Sequence, residues 1–235
     1  MTQKSRLSAL ILLGFLSGVA SLPVFAASLP APDGMAACKT DDAFRMALSR
    51  FAVKIGQLSG CFVSTIKVPV RNAHKTISLP LEYAYAVDVA PRLEGYSSQD
   101  LDSLYIKTHY QWQKLNTQWP QDKSGYEQRV NQLLQSTLPA TGPHPTMKIR
   151  QPELVSMTRL DPDAYTVISV RQRNISVAGD SFTTTKVEGT GLVLVHDNLI
   201  RLSVVRELHS AADIKALDGI LTQWIHAIEG TPSSP

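Results

Sequence analysis

"GLVLVHDNLIRLSVVREL", residues 191–208, carries the reading that decides the fold. Two runs of Leu, Ile and Val flank the polar trio His196-Asp197-Asn198, the pattern of two strands around a tight loop. Branched side chains fit a pleated surface, and Asp and Asn are ordinary turn formers. With the trio as the loop, Leu192 faces Leu202 and Glu188 faces Arg206, an apolar pair and an opposite-charge pair. The same neighbourhood holds His196, Asp197, Glu207 and His209, residue types that bind metals or move protons. The hairpin separates them. From Asn198 to Glu207 an extended strand covers roughly 30 Å, whereas metal ligands must lie within about 2–2.5 Å of their ion. No metal site is expected from this cluster.

Working outward, "AYTVISVRQRNISV" (164–177) and "SFTTTKVEG" (181–189) read as strands joined by "AGD", followed by "TGLVLV" (190–195) and then 199–208. Ser210 and Asp213 form a capping box for a closing helix, whose inner face is Ile214, Leu217, Leu221, Trp224, Ile225 and Ile228. Gly230 stops it. The glycines of Gly189-Thr190-Gly191 lie between strands, where they mark a bulge or a close backbone contact rather than a phosphate loop.

Nearer the N-terminus, "TDDAFRMALSRFAVKIGQL" (40–58) predicts a helix over about 41–54, capped by Thr40. Phe44, Ala47, Leu48, Phe51, Ile55 and Leu58 recur at helical spacing as one stripe. "CFVSTIKVPV" (61–70) and "TISLPLEYAYAV" (76–87) read as two strands around "RNAHK", with Pro69 and Pro80 marking them as edge-like. Ser97 and Asp100 form another capping box, and Leu101, Leu104, Tyr105, Trp112 and Trp119 share one face. Pro120 is expected to end that helix, and Ser124 with Glu127 to start the next. "PATGPHP", residues 139–145, is the clearest linker. Strands in runs, with helices between the runs, predict an α+β fold: an antiparallel sheet of about six strands, a β-meander and a C-terminal helix.

The first 27 residues predict export. Lys4 and Arg6 precede an apolar stretch, Leu7 to Val24, and "VFAA" supplies the small residues for cleavage after Ala26 or Ala27. A retained membrane anchor is the alternative for a run of this length. Cleavage would leave about 208 residues as a single domain over 28–235, with 139–145 as its one candidate subdivision. Losing Lys4 and Arg6 takes the formal charge from +3 to +1. That balance carries no nucleic-acid footprint, and no second apolar stretch approaches membrane length. The expected location is periplasmic or secreted, and bacterial. Cys38 and Cys61, the only cysteines, are expected to form a disulfide in such a compartment; two buried free thiols are the alternative.

Few residues suggest chemistry. "GDSF" (179–182) resembles the nucleophile block of GDSL-type hydrolases, which would make Ser181 a nucleophile. That family carries the block near its mature N-terminus, with an Asp-x-x-His near the C-terminus. Here it sits late, and none of the six histidines has Asp three residues before it. A Gly-Asp turn explains the residues without chemistry. G-x-S-x-G, H-E-x-x-H and Walker sequences are missing. The remaining feature is "YIKTHYQWQKLNTQWP" (105–120), whose Tyr105, Trp112 and Trp119 fall on the core stripe. His109 and Tyr110 fall to the sides and form a candidate ligand or partner surface. Asn174-Ile175-Ser176 matches a glycosylation sequon, which means little in a bacterial chain.

"GTGLVLVHDNLIRLSVVREL" followed by "ADIKALDGILTQWIHAI" is similar to the ends of uncharacterised exported proteobacterial proteins. It also resembles the β-meander-plus-helix ending of PsbP/Mog1-like domains, over about the last 70 residues. That resemblance implies an accessory or binding role. The expectation is therefore an exported, non-enzymatic protein in binding, assembly or envelope maintenance, with no catalytic residue, no cofactor and an unknown protein or envelope partner. Two alternatives are an envelope hydrolase drawing on Glu82 or Asp88, and a carrier of a small ligand or lipid.

Overall fold

The chain folds around one antiparallel sheet in the computed structural model. This describes residues 29–39, 43–53, 55–64, 67–72, 75–80, 82–90, 92, 94–137, 146–177 and 179–230. In chain order the elements are β1 (Met35–Ala37), α1 (Ala43–Ala52), β2 (Gly56–Ser64), β3 (Lys67–Asn72), β4 (Lys75–Pro80), β5 (Tyr83–Val89) and α2 (Ser98–Thr137). There follow β6 (Thr146–Ile149), β7 (Glu153–Asp161), β8 (Ala164–Val177), β9 (Asp180–Val195), β10 (Asn198–Glu207) and α3 (Ala211–Glu229). The sheet order is β1-β2-β5-β10-β9-β8-β6, with β7 also paired to β8, and β3 with β4 forms a separate hairpin. This is an α+β fold with a meander of long strands at its centre. Among the described residues, no helix is long and apolar enough to cross a membrane.

The sheet has eight strands rather than about six, because β1 forms before α1, and β6 and β7 between the linker and β8, while two expected strands merge. Both pair with the same edge of β8, β7 along Ala164–Val170 and β6 along Arg173–Ser176. Neither is strongly apolar, so neither was visible as a strand. Two runs expected as separate strands, 181–189 and 190–195, are one strand, β9. Conversely, the expected pair of strands over 61–87 is divided between the sheet and the β3–β4 hairpin. Helix α1 ends at Ala52, leaving Ile55 in a turn and Leu58 in β2. Pro120 does not end its helix, since α2 runs through it from Ser98 to Thr137. Tertiary anchoring explains the tolerance: Leu101 and Tyr105 pack on the sheet, while Glu127 and Asn131 bind the backbone of β6. The expected cap Thr40, the linker 139–145 and the N-terminal 1–27 lie outside the described residues.

Strand alternation divides the sheet into two faces. One carries Ala84, Ala86, Ile168, Val187, Val193, Ile200, Leu202 and Val204 and is covered by α3 through Leu217, Leu221, Trp224, Ile225 and Ile228. Each of these five α3 residues is at most 2% exposed, and such burial stabilises by roughly 1.5–3 kcal/mol per side chain. Gly189 and Gly191 are why the helix can come so close. A Cβ on Gly189 would lie 2.5 Å from Leu217 Cδ2, and one on Gly191 would lie 2.9 Å from Ile225 Cδ1. Of the two readings of these glycines, the close contact is the one found.

The central hairpin needs a correction of one residue. Asn198 belongs to β10 and pairs with Val195, so the loop is His196-Asp197 alone, with φ of 47° and 63°. Two left-handed residues match the twist of the flanking strands, and the Asn198 side chain donates to the His196 carbonyl at 2.9 Å. The shift exchanges every cross-strand neighbour. Leu202 now faces Gly191, and Glu188 faces Val205. Arg206 projects to the opposite side, where it meets Glu82 at 2.7 Å and Asp213 at 3.9 Å. The expected Glu188–Arg206 pair therefore does not exist.

Candidate functional site

The other face of the sheet supplies the site. It points β5, β8, β9 and β10 side chains towards α1 and α2, whose covering is incomplete. A cavity of about 600 Å³ remains between them. That is within the usual range for small-molecule sites, about 300–1,000 Å³.

The ladder arranges the floor in rows. Ser203 lies opposite Tyr85 on one side and Thr190 on the other, and Thr190 opposite Val167. The next row is Tyr83, Val205, Glu188 and Ser169, and on the far side Arg201 lies opposite Leu192. From Arg201 to Val205 the floor covers roughly 14 Å of strand. The roof is mainly apolar, from Phe44, Ala47, Leu48 and Phe51 of α1 with Trp112 of α2, and Thr108, Gln111 and Tyr126 of α2 add polar groups to it. Phe44 meets Tyr83 edge-on at 4.9 Å and Phe51 meets Tyr85 at 6.3 Å. The stripe expected to be core in α1 thus lines an opening, and Phe51 is 38% exposed.

One end of the cavity holds an ion-paired network. Glu188 lies 3.0 Å from Arg171 Nε and also pairs with Arg173. Arg171 Nη1 donates to the Tyr126 hydroxyl at 2.9 Å. Burial works against the charge on Arg171, and only Glu188, Tyr126 and Tyr85 together outweigh it, so the guanidinium titrates above its usual range. Burial, helped by the Glu188 charge, pushes the Tyr83 phenol far up, so it stays neutral. The charges here are paired, although Arg171 Nε, like Arg201 Nε, is buried without a hydrogen bond of good geometry.

The opposite end does not close. Ser203 is 4% exposed, and its Oγ finds no hydrogen-bond partner among the described residues. Arg201 Nε is likewise buried without a partner, and no ion pair to Arg201 forms among the described residues. Beside them Tyr165 and Thr108 share a hydrogen bond of 3.3 Å across the sheet–α2 boundary. An unsatisfied buried polar group costs about 1–3 kcal/mol, so a floor that keeps three of them, Arg171 Nε included, in one cavity asks for a reason.

The expected site residues lie elsewhere. The Cys38–Cys61 disulfide is present, with Cα atoms 5.3 Å apart, and ties the segment before α1 to β2. His109 and Tyr110 sit on the exposed side of α2, outside the cavity lining. Glu82 is engaged by Arg206, and Asp88, whose carboxyl is pushed up by burial, does not line the cavity either. Ser181 lies in the β8–β9 hairpin and shares a 2.7 Å hydrogen bond with Ser176, as a turn-flanking residue would. His196 and His209 stand at opposite ends of β10. A different trio does converge: Asp161, His226 and Glu229 offer ligand atoms within 4.8 Å of one another, with His226 Nδ1 3.1 Å from Glu229. Two carboxylates and an imidazole at the partly exposed end of α3 form hydrogen bonds of their own, and Glu229 is held up mainly by burial. The cavity was not visible in the sequence, because its polar floor alternates with core residues on four separate strands.

No protein-family model matches this chain, and no curated protein matches it.

Proposed function

We propose that the protein is an exported, non-enzymatic binding protein that holds a small ligand between the sheet and α1 and α2. The observation that carries this reading is the pair of unsatisfied groups, Arg201 Nε and Ser203 Oγ, on the floor of a cavity with a mainly apolar roof. A ligand is the economical partner for them. Among the described residues the cavity lining holds one carboxylate, Glu188, which two arginines already engage, and no other general base near Ser203 or Ser169. Carriage therefore accounts for the site better than hydrolysis. Export rests on the N-terminal pattern of Lys4, Arg6, the apolar run and "VFAA".

Two measurements test this. Anilinonaphthalene sulfonate should bind at one saturable site in the native chain, and Ala47→Trp, which fills the roof, should abolish that site at unchanged urea midpoint. No saturable binding, or equal binding to the variant, would remove the cavity from consideration. N-terminal sequencing of the chain recovered after expression should begin at Ala27 or Ser28; retention of Met1 would contradict export by cleavage.

A further inference from the structure

We infer that the cavity selects an amphipathic monocarboxylate, with its carboxylate at Arg201 and Ser203 and its apolar body under α1. This rests on the binding reading above and names the class of ligand. The two polar ends of the floor differ in what they have left to offer. Arg171 and Arg173 direct their charge to Glu188, and Arg171 also binds Tyr126. An anion arriving there would meet the Glu188 carboxylate at close range. Arg201 has no such counter-charge among the described residues, and Ser203 Oγ is an adjacent hydroxyl on the same face of β10, two residues away.

A guanidinium and a hydroxyl side by side suit a carboxylate. Arg presents parallel N–H donors that match two oxygens, and the serine hydroxyl donates to one of them. Arg201 brings one positive charge to its end of the floor, which suits a singly charged head group; the two arginines on Glu188 leave another at the far end. The rest of the ligand is set by the walls. Beyond Ser203 the floor continues through Tyr85 and Val205, and Leu48, Phe51 and Trp112 close over it. A chain lying along this direction has about 7 Å of floor, the two residues from Ser203 to the Val205–Glu188 row, before it meets the Glu188 network. An alkyl or aromatic body fits that surface; a polyol would leave its hydroxyls facing apolar side chains, at a cost for each.

The test is a matched series of decanoate, decan-1-ol and decylamine, titrated by calorimetry into the full chain after removal of bound small molecules by refolding. Decanoate should bind about tenfold or more tightly than decan-1-ol, since only the carboxylate offers Arg201 a charge-assisted hydrogen bond, which exceeds its added desolvation cost. Decylamine should bind weakest, because Arg201 repels it. Arg201→Met should bring decanoate and decan-1-ol to within about twofold, chiefly by losing decanoate affinity, and Arg201→Lys should restore part of the preference. Ala47→Trp should remove all three. Equal binding of acid and alcohol, or an acid preference that survives Arg201→Met, would overturn the monocarboxylate assignment. Decyl phosphate binding more tightly than decanoate would overturn it as well. These outcomes leave the cavity reading standing; that reading falls only if Ala47→Trp binds the series as the native chain does.

Discussion

Two glycines ten residues from the hairpin tip or nearer set the distance between the sheet and its closing helix. Gly189 has no room for a methyl group, because Leu217 lies fully buried at 2.5 Å from where its Cβ would stand. Gly189→Ala should therefore destabilise the fold by about 1–3 kcal/mol in urea unfolding, the usual range for overpacking. Gly219, inside α3, has nothing within 4 Å of its Cβ position, and Gly219→Ala should stabilise by about 0.5–1 kcal/mol through helix propensity. Opposite signs from the same substitution would separate close approach from propensity. Asp213 gives a second test at this scale. Its carboxylate accepts the backbone N–H groups of His209 and Ser210 at 2.9 and 2.7 Å, which holds it below the ordinary carboxylate range. A lowered native value means stability that is present above about pH 4 and lost as the pH falls through the depressed value. Asp213→Asn should thus lower Tm at pH 7, and the gap to the native chain should close in acid; a gap constant with pH would show that the charge is not what matters.

At the scale of elements, the sequence was most legible where local chemistry and tertiary packing agree. Of the three helix starts expected from a serine paired with an acid, two are found: Asp100 accepts the Ser97 N–H at 3.0 Å, and Asp213 does the same for Ser210, whereas Ser124 and Glu127 lie inside α2 and start no helix. The α3 stripe is buried as its periodicity requires. Where packing overrides a local signal, the reading failed. Pro120 should stop a helix, yet α2 continues because its two halves are held by different parts of the sheet. Strand β6 has little hydrophobic character; it exists because β8 pairs one edge while Asn131 and Glu127 of α2 satisfy backbone groups along the strand. The loop length of the central hairpin was misjudged by one residue because Asn198 is as good a turn former as Asp197. Disulfide Cys38–Cys61 is an element-scale device, since it anchors the approach to α1 and hence the cavity roof. Reduction should cost about 3 kcal/mol in urea unfolding, as expected for closing a loop of this size. It should also weaken anilinonaphthalene sulfonate binding; unchanged affinity after reduction would show that α1 holds its place without the bridge.

For the molecule as a whole, the sheet serves two purposes with its two faces. One is closed by α3 with apolar side chains, and the other is left open beneath α1 and α2 with a polar floor. The cavity itself was not legible in the sequence: there Glu188 reads as a partner of Arg206, and Arg201 and Ser203 look like the solvent-facing positions of half-buried strands. Only the covering helices make them interior. That distinction gives the central claim its most direct measurement. If Arg201 and Ser203 are kept for a ligand, they contribute nothing to folding, and the ligand-free double variant Arg201→Met/Ser203→Ala should be as stable as the native chain or more stable. A gain of about 1–2 kcal/mol in equilibrium urea unfolding, with loss of decanoate binding, is the predicted result. A loss of 1 kcal/mol or so would contradict it, because the two groups would then be part of the architecture and not of a binding site.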